Sequence, residues 1–283
     1  MKKPVLLIVS LFVVAMCHAQ KAYKLAFAPP NGDKYDITST VNSQISENIM
    51  GQEIDIQLNY MVSMLYEIIA SGPNKKLSMT YQKVKMDLDA MGHEMSLNSE
   101  NDALKSLEGQ VVSAVVTPDG KVLEIEGADG IIDKVSIDEK QKKTLEGYLG
   151  KESLRSMLSQ SFGFYPEKPV KAGDSWSSSI ELQYPYAMKA TSHYTLQKVE
   201  GKTAFINILG KMQTDSSSTM KMNDMELKID ITGDIKGICE VDIDTGMPLV
   251  TRMTQTLKGN IELMGQKVPL ISTIESTMQA VKK

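Results

Sequence analysis

From Leu249 to Met264 apolar residues recur at every second position: Leu249, Met253, Leu257, Ile261 and Leu263 share one parity, and Arg252, Lys258, Asn260 and Glu262 share the other. A period of two describes a strand buried on one face only. Gly265-Gln266 reads as a turn, after which Val268, Leu270, Ser272, Ile274 and Met278 resume the pattern. A two-residue loop is expected to pair Leu263 with Val268 and Ile261 with Leu270, which puts both apolar sets on one side. Strands of more than a dozen residues exceed the usual five or six. They favour a large curved antiparallel sheet, or an open barrel of long hairpins, over a compact sandwich.

Most of the chain repeats this plan. Ile37, Val41, Ile45 and Ile49 alternate on one strand, and Ile54, Ile56, Leu58, Tyr60, Val62 and Met64 on the next; a turn at Gly51-Gln52 pairs Ile49 with Ile54. Leu77–Ala90 is a third strand whose parity shifts between Tyr81 and Val84, as a β-bulge produces, and Gly92-His93 turns it into Met95 and Leu97. The segment from Gly109 to Glu126, folded at Pro118-Asp119-Gly120, is a further hairpin. Met50-Gly51-Gln52-Glu53, Met91-Gly92-His93-Glu94 and Met264-Gly265-Gln266-Lys267 repeat one turn phrase, which suggests an ancestral duplication. Gln20 to Lys34, with Pro29-Pro30-Asn31-Gly32, reads as a turn-rich lead-in.

The middle is helical. Ser136 and Glu139 form a capping box, Ile137–Leu149 follows with helical spacing, and Gly150 is placed to end that helix. A second helix, Glu152–Phe162, carries Leu154, Met157, Leu158 and Phe162 on one stripe. Both stripes need a partner, and the concave side of the sheet is the expected one, with the helices as a lid. The crossover from Phe164 carries the single tryptophan, Trp176, expected as a packing anchor or ligand platform. Strands follow near Ser177–Gln183, Met188–Val199, Thr203–Thr214 and Met225–Ile243, the last expected to bend at Gly233 and Gly237. The fold class is therefore mainly β (α+β), a curved antiparallel sheet with a central pair of helices. The expected domain plan is a signal peptide at 1–19, then one domain whose related halves, 20–126 and 164–283, are joined by a helical segment, 127–163.

The export signal is Lys2-Lys3, an apolar run from Pro4 to Met16, and Cys17-His18-Ala19, with Gln20 as the mature start. A lipidated Cys17 is the competing reading, disfavoured because Met16 is not small. Without Lys2 and Lys3 the 31 basic residues become 29 against 35 acidic, a balance that attracts neither nucleic acid nor an anionic surface. No later segment has the ~20 apolar residues of a membrane helix. Cys239 is the one cysteine left, so packing must supply the stability. Of the 19 methionines, all but Met1 and Met16 lie in the mature chain, beside only Phe27, Phe162, Phe164 and Phe205, which describes a soft, adaptable core.

Three phrases carry a resemblance: His18-Ala19-Gln20; Pro169-Val170-x-x-Gly173-Asp174-x-Trp176; and Gly237-x-x-x-Val241-Asp242-x-x-Thr245-Gly246. With these the chain resembles a family of exported Bacteroidota proteins classed as a domain of unknown function, which implies no activity and no catalytic residue. The element order also resembles periplasmic lipoprotein-carrier half-barrels, with helices over a concave sheet.

Chemistry-bearing motifs are few. His93 and His193 sit in no nucleophile or zinc pattern, and Asp244-Thr245-Gly246, the aspartic-protease tripeptide, has no second copy and reads as a turn. Met91, His93 and Met95, or Met220, Met222 and Met225, have the soft donors Cu(I) takes, but packing at hairpin ends explains them. The expectation is an exported, non-catalytic protein, periplasmic or cell-surface, needing no cofactor and binding a lipid or other apolar molecule or an envelope partner. Leu154, Met157, Leu158, Phe162 and Trp176 would form its lid and pocket. The alternatives are a structural envelope module, a Cu(I) binder and a hydrolase.

Overall fold

The computed structural model describes residues 21–49, 52–70, 72–90, 92–98, 104–182, 187–215, 218–222, 225–263 and 265–283. The expected signal peptide, Cys17, and Met91 lie outside these residues. Among them are strands β1 (Lys34–Ile49), β2 (Gln52–Ala70), β3 (Lys75–Ala90), β4 (His93–Asn98), β5 (Val111–Val116) and β6 (Val122–Glu126). Helices α1 (Glu139–Leu149) and α2 (Lys151–Phe162) follow, then β7 (Ser175–Leu182), β8 (Met188–Glu200), β9 (Thr203–Thr214), β10 (Thr219–Met222), β11 (Met225–Asp242), β12 (Pro248–Leu263) and β13 (Gln266–Lys282).

The strands make one antiparallel sheet in the order β6-β5-β3-β2-β1-β13-β12-β11-β9-β8-β7, with β4 on β3 and β10 on β11 as side branches. Each hairpin follows the last around the sheet, and β1 joins β13, so the chain's two ends meet in its middle. Helix α2 touches β6 and β7, the two extremes, and also β12 near the centre. A sheet whose ends and middle reach one helix curls around it. The result is an open barrel with the helices inside its concave face, as the apolar stripes require.

The alternation is seen directly. On β12 Thr251, Gln255 and Leu257 are buried while Arg252, Thr254, Thr256 and Lys258 are exposed, and on β13 Val268, Leu270, Ser272, Met278 and Ala280 are buried. The register differs from the expected one by two residues at both long hairpins: Ile261 pairs with Val268, and Ile45 with Ile56. The loop falls one residue earlier, between Ile49 and Gln52 and between Leu263 and Gln266; on β3–β4 it lies between Ala90 and His93. Gly92 (φ 76°) and Gly265 (φ 80°) thus take the second loop position, where a two-residue hairpin needs positive φ. A shift of two preserves parity, so every side chain keeps its expected face. His93 therefore starts a strand instead of sitting in the turn. The bulge is where parity predicts it: Ser63 faces Lys83 and Met64 faces Tyr81, leaving Gln82 extra.

Three local expectations are corrected. Helix α1 starts two residues late for a Ser136 cap, because Asp138 is the better acceptor: it takes the Gln141 N–H at 2.8 Å, and Gln141 Oε1 accepts from Asp138 N at 3.4 Å. Gly233 and Gly237 make no bulge; β11 and β12 stay in register past both, and shift only between Glu240 and Val241. A Cβ at Gly233 would lie 2.5 Å from Leu257 Cδ2, and one at Gly237 2.9 Å from Met253 Cγ, so these glycines make room for large neighbours. The lead-in is buried structure. Phe27 N donates to Pro118 O (2.9 Å), Ala28 N to Thr245 O (2.8 Å), and the Phe27 ring lies 4.7 Å from Phe162. Leu25 and Phe27 seal the end of the barrel against α2.

Candidate functional site

Between α2 and the concave sheet lies a cavity of about 260 Å³. Five methionines line it: Met157 from α2, and Met188, Met212, Met253 and Met278 from β8, β9, β12 and β13. The sheet residues arrive there by the period of two, which puts Met253 beside Ser276 and Met278 beside Thr251. Gly237, facing Met253 across β11, leaves that thioether space. Unbranched thioether chains adapt to the shape of what they cover, so these walls suit an apolar guest without fixed outline. One polar pair crosses the site: Gln255 Nε2, on the sheet, donates to Gln160 Oε1 of α2 at 2.9 Å. Tyr60 of β2 and Tyr148 of α1 close the far side with rings 6.1 Å apart.

The residues singled out from sequence separate into three groups. Met157 lines the cavity. Leu154, Leu158 and Phe162 are buried at 2, 1 and 1 % exposure in the continuous core, where they hold α2 down. Trp176 stands outside, on a groove between β6 and β7; its Nε1 donates to Phe164 O at 2.5 Å and its ring stacks on Tyr194, 5.8 Å away. The packing role explains its fixed pose. The four sheet methionines and the glutamine pair escaped sequence reasoning as site residues. Met253 and Met278 were on the correct face, but meeting Met188 and Met212 depends on how the sheet curls.

His93 and Met95 lie two apart on β4, hence on one face, with His93 exposed. Met91 and the side chains of Met220, Met222 and Met225 fall outside the described residues. Among the described residues no three His, Cys, Asp or Glu side chains converge as a metal site. The Asp244-Thr245-Gly246 phrase is a turn held by Asp242, whose Oδ1 accepts from Asp244 N and Thr245 N, both at 2.9 Å. Tyr165 then locks it, its hydroxyl donating to Gly246 O at 2.6 Å.

Burial governs ionisation around the cavity. Burial, helped by the Tyr81 and Tyr66 hydroxyls, holds the Tyr60 phenol well above its usual range, and burial raises Tyr66, Tyr81 and Tyr148 as well. Burial pushes the Cys239 thiol up to about 12, against the opposing Thr251 hydroxyl at 3.3 Å. All these groups favour their neutral form when folded. Their contribution to stability is complete below the unfolded values and lost as pH rises through the folded ones. Urea midpoints should therefore stay level across neutral pH and fall above about pH 9. In the folded protein a thiol reagent at pH 8 should leave Cys239 untouched, reacting only as the chain unfolds.

No described helix is long and apolar enough to cross a membrane, a statement that does not bear on crossing by strands. No curated protein matches the chain. Among solved structures it is similar to lipovitellin, with a TM-score of 0.53 and 8 % identity over 90 % of this chain; it spans 25 % of that chain. At that identity the likeness is one of fold. It also aligns with an outer membrane channel of Pseudomonas putida F1 (TM-score 0.28, 6 % identity, 90 % of this chain and 97 % of that one). A third is OccK5 of Pseudomonas aeruginosa (0.25, 9 %, 88 % and 98 %). The model of a family of unknown function, DUF6263, matches residues 72–248, more than half of the sequence, and the chain belongs to that family.

Proposed function

We propose that this protein is a non-catalytic, exported binder of an apolar molecule with a flexible hydrocarbon chain, held under α2 in the methionine-lined cavity. The observation that carries the reading is the convergence of Met157, Met188, Met212, Met253 and Met278 on one cavity between lid and sheet. An interior evolved only for packing fills such space with branched side chains in fixed rotamers. Here the space stays open, and five of its lining side chains are thioethers, the most adaptable available, set among Val41, Leu58, Leu182, Leu257, Ile274 and several hydroxyls. At about 260 Å³ it is slightly smaller than the 300–1,000 Å³ of common ligand sites. A chain-like guest would fit by moving α2 outward against the Gln160–Gln255 bond, the Arg155–Val122 bond and the packing of Leu154, Leu158 and Phe162. Lipovitellin, to a quarter of which the chain is similar in fold, was described for its lipid–protein interactions. The hydrophobic run ahead of Gln20 supports export to the periplasm or cell surface.

Met157→Trp tests the reading, because an indole in place of the thioether fills the cavity from the lid side. A fluorescent fatty acid should bind the parent protein and be displaced by unlabelled fatty acid. The variant should bind at least about tenfold more weakly, a loss of some 1.4 kcal/mol. Equal binding by the two would put the guest elsewhere; no binding by the parent would remove the proposal.

A further inference from the structure

Among the described residues the main strand order ends at β6 and β7, each of which has a single strand partner, as do the side branches β4 and β10. Eleven strands lie on the path from β6 to β7, every one antiparallel to its neighbours. In an odd-numbered series of this kind the first and last strands run the same way. They cannot close on each other antiparallel, but one strand running opposite to both would pair with each and complete an even-numbered barrel.

The gap has the form of a site. It is an open groove of about 1010 Å³ floored by Arg155 and Ser159 of α2 and by Gly163, which caps that helix. Arg155 Nη1 donates to Val122 O at 3.1 Å, so the helix serves one backbone acceptor of β6. Helix α2 gives no such cover to β7 in any bond described. Along Ser175–Leu182 there is no lysine, no proline and no register shift against β8, the usual protections of an exposed edge. The hydroxyls of Ser175 and Ser179 pair with Thr195 and Thr191, and that of Ser177 with His193 Nδ1, all within 2.9 Å. Those side chains turn back toward β8, leaving main chain as the free edge. Charged side chains of both signs line the groove: Glu181 lies where β7 finishes, and Asp119, Lys121, Glu167, Lys168 and Asp174 lie around its start.

We propose that this groove receives an extended segment of a partner polypeptide as an added strand, antiparallel to both β6 and β7. Its N-terminal end lies beside Glu181, its C-terminal end beside Lys168, and its small or apolar side chains face α2 and Trp176. Main-chain hydrogen bonds would supply the affinity, and the alternate side chains toward the helix the selectivity.

The chain's own N-terminus offers the test, because Tyr23 pairs with Val170, which lines the lower end of the groove. An alternating Thr/Val strand of about eight residues, joined ahead of Gln20 through a short Gly/Ser linker, enters in the required direction at roughly millimolar effective concentration. Hydrogen exchange across 175–182 should slow by about tenfold or more. A proline in the middle of the added strand should restore the parent's rates, since it removes a ladder donor. Unchanged exchange with unaltered circular dichroism overturns the proposal, and so does protection that survives the proline.

Discussion

Replacing Leu154 and Leu158 together with serine should lower the melting temperature by roughly 8–16 °C, the shift expected for about 4 kcal/mol in a chain of this size. Both side chains are almost completely buried on the inner stripe of α2, in the same core cluster as Phe27 and residues from both sheet halves. Each truncation of a buried leucine costs about 2–5 kcal/mol, and the two are close enough to couple, so the sum is taken at its low end. The loss concerns the lid before it concerns the sheet. Strand pairs from β1 to β13 remain bonded to one another, so a hydrophobic dye should bind strongly while the β-sheet circular dichroism persists. A melting temperature within 2 °C of the parent, on the order of the effect of a surface change, would mean that α2 is not what covers the concave face.

Gly120→Ala should be among the most damaging single-methyl additions to this protein, beside Gly246→Ala and Gly259→Ala. Gly120 has φ +83°, and a Cβ there would lie 1.8 Å from Phe162 O and 2.6 Å from Phe162 C, at the C-terminus of α2. The neighbours are backbone and cannot turn aside. Either the β5–β6 turn or the end of α2 must move, at about 3 kcal/mol or more. Gly92→Ala is the control. Its φ is +76° but a Cβ meets nothing within 4 Å, so only the left-handed conformation is penalised, at about 1–2 kcal/mol. Urea unfolding of both variants should show the first clearly less stable than the second; equal midpoints would mean that turn and helix do not meet.

How much of this was legible in the sequence depends on distance along the chain. Parity is local, and it assigned the buried face of β1, β2, β12 and β13 and placed the bulge between Tyr81 and Val84, where the structure leaves Gln82 extra. The loop position is also local, yet it was set one residue late because Gly-Gln and Met-Gly both read as turns; only the demand for positive φ at the second loop residue separates them. Asp138 outcompeted Ser136 as a helix cap although each has a capping-box partner three residues on, Gln141 and Glu139, so spacing alone does not separate them. Other features needed the assembled fold. Gly233 and Gly237 look like breaks until Leu257 and Met253 are found opposite them. Leu25 and Phe27 look like a tail until the barrel end they seal exists. The cavity combines two strands of readable face with Met188 and Met212, brought in by curvature, and no local pattern encodes that meeting.

The most direct measurement is native mass spectrometry of the protein purified gently from its own envelope. An apolar ligand held under α2 predicts a mass excess in the range of a lipid or fatty acid, released on denaturation and absent from Met157→Trp. A bare chain mass, unchanged after incubation with excess fatty acid, would contradict the account and leave the methionine-lined cavity as packing alone.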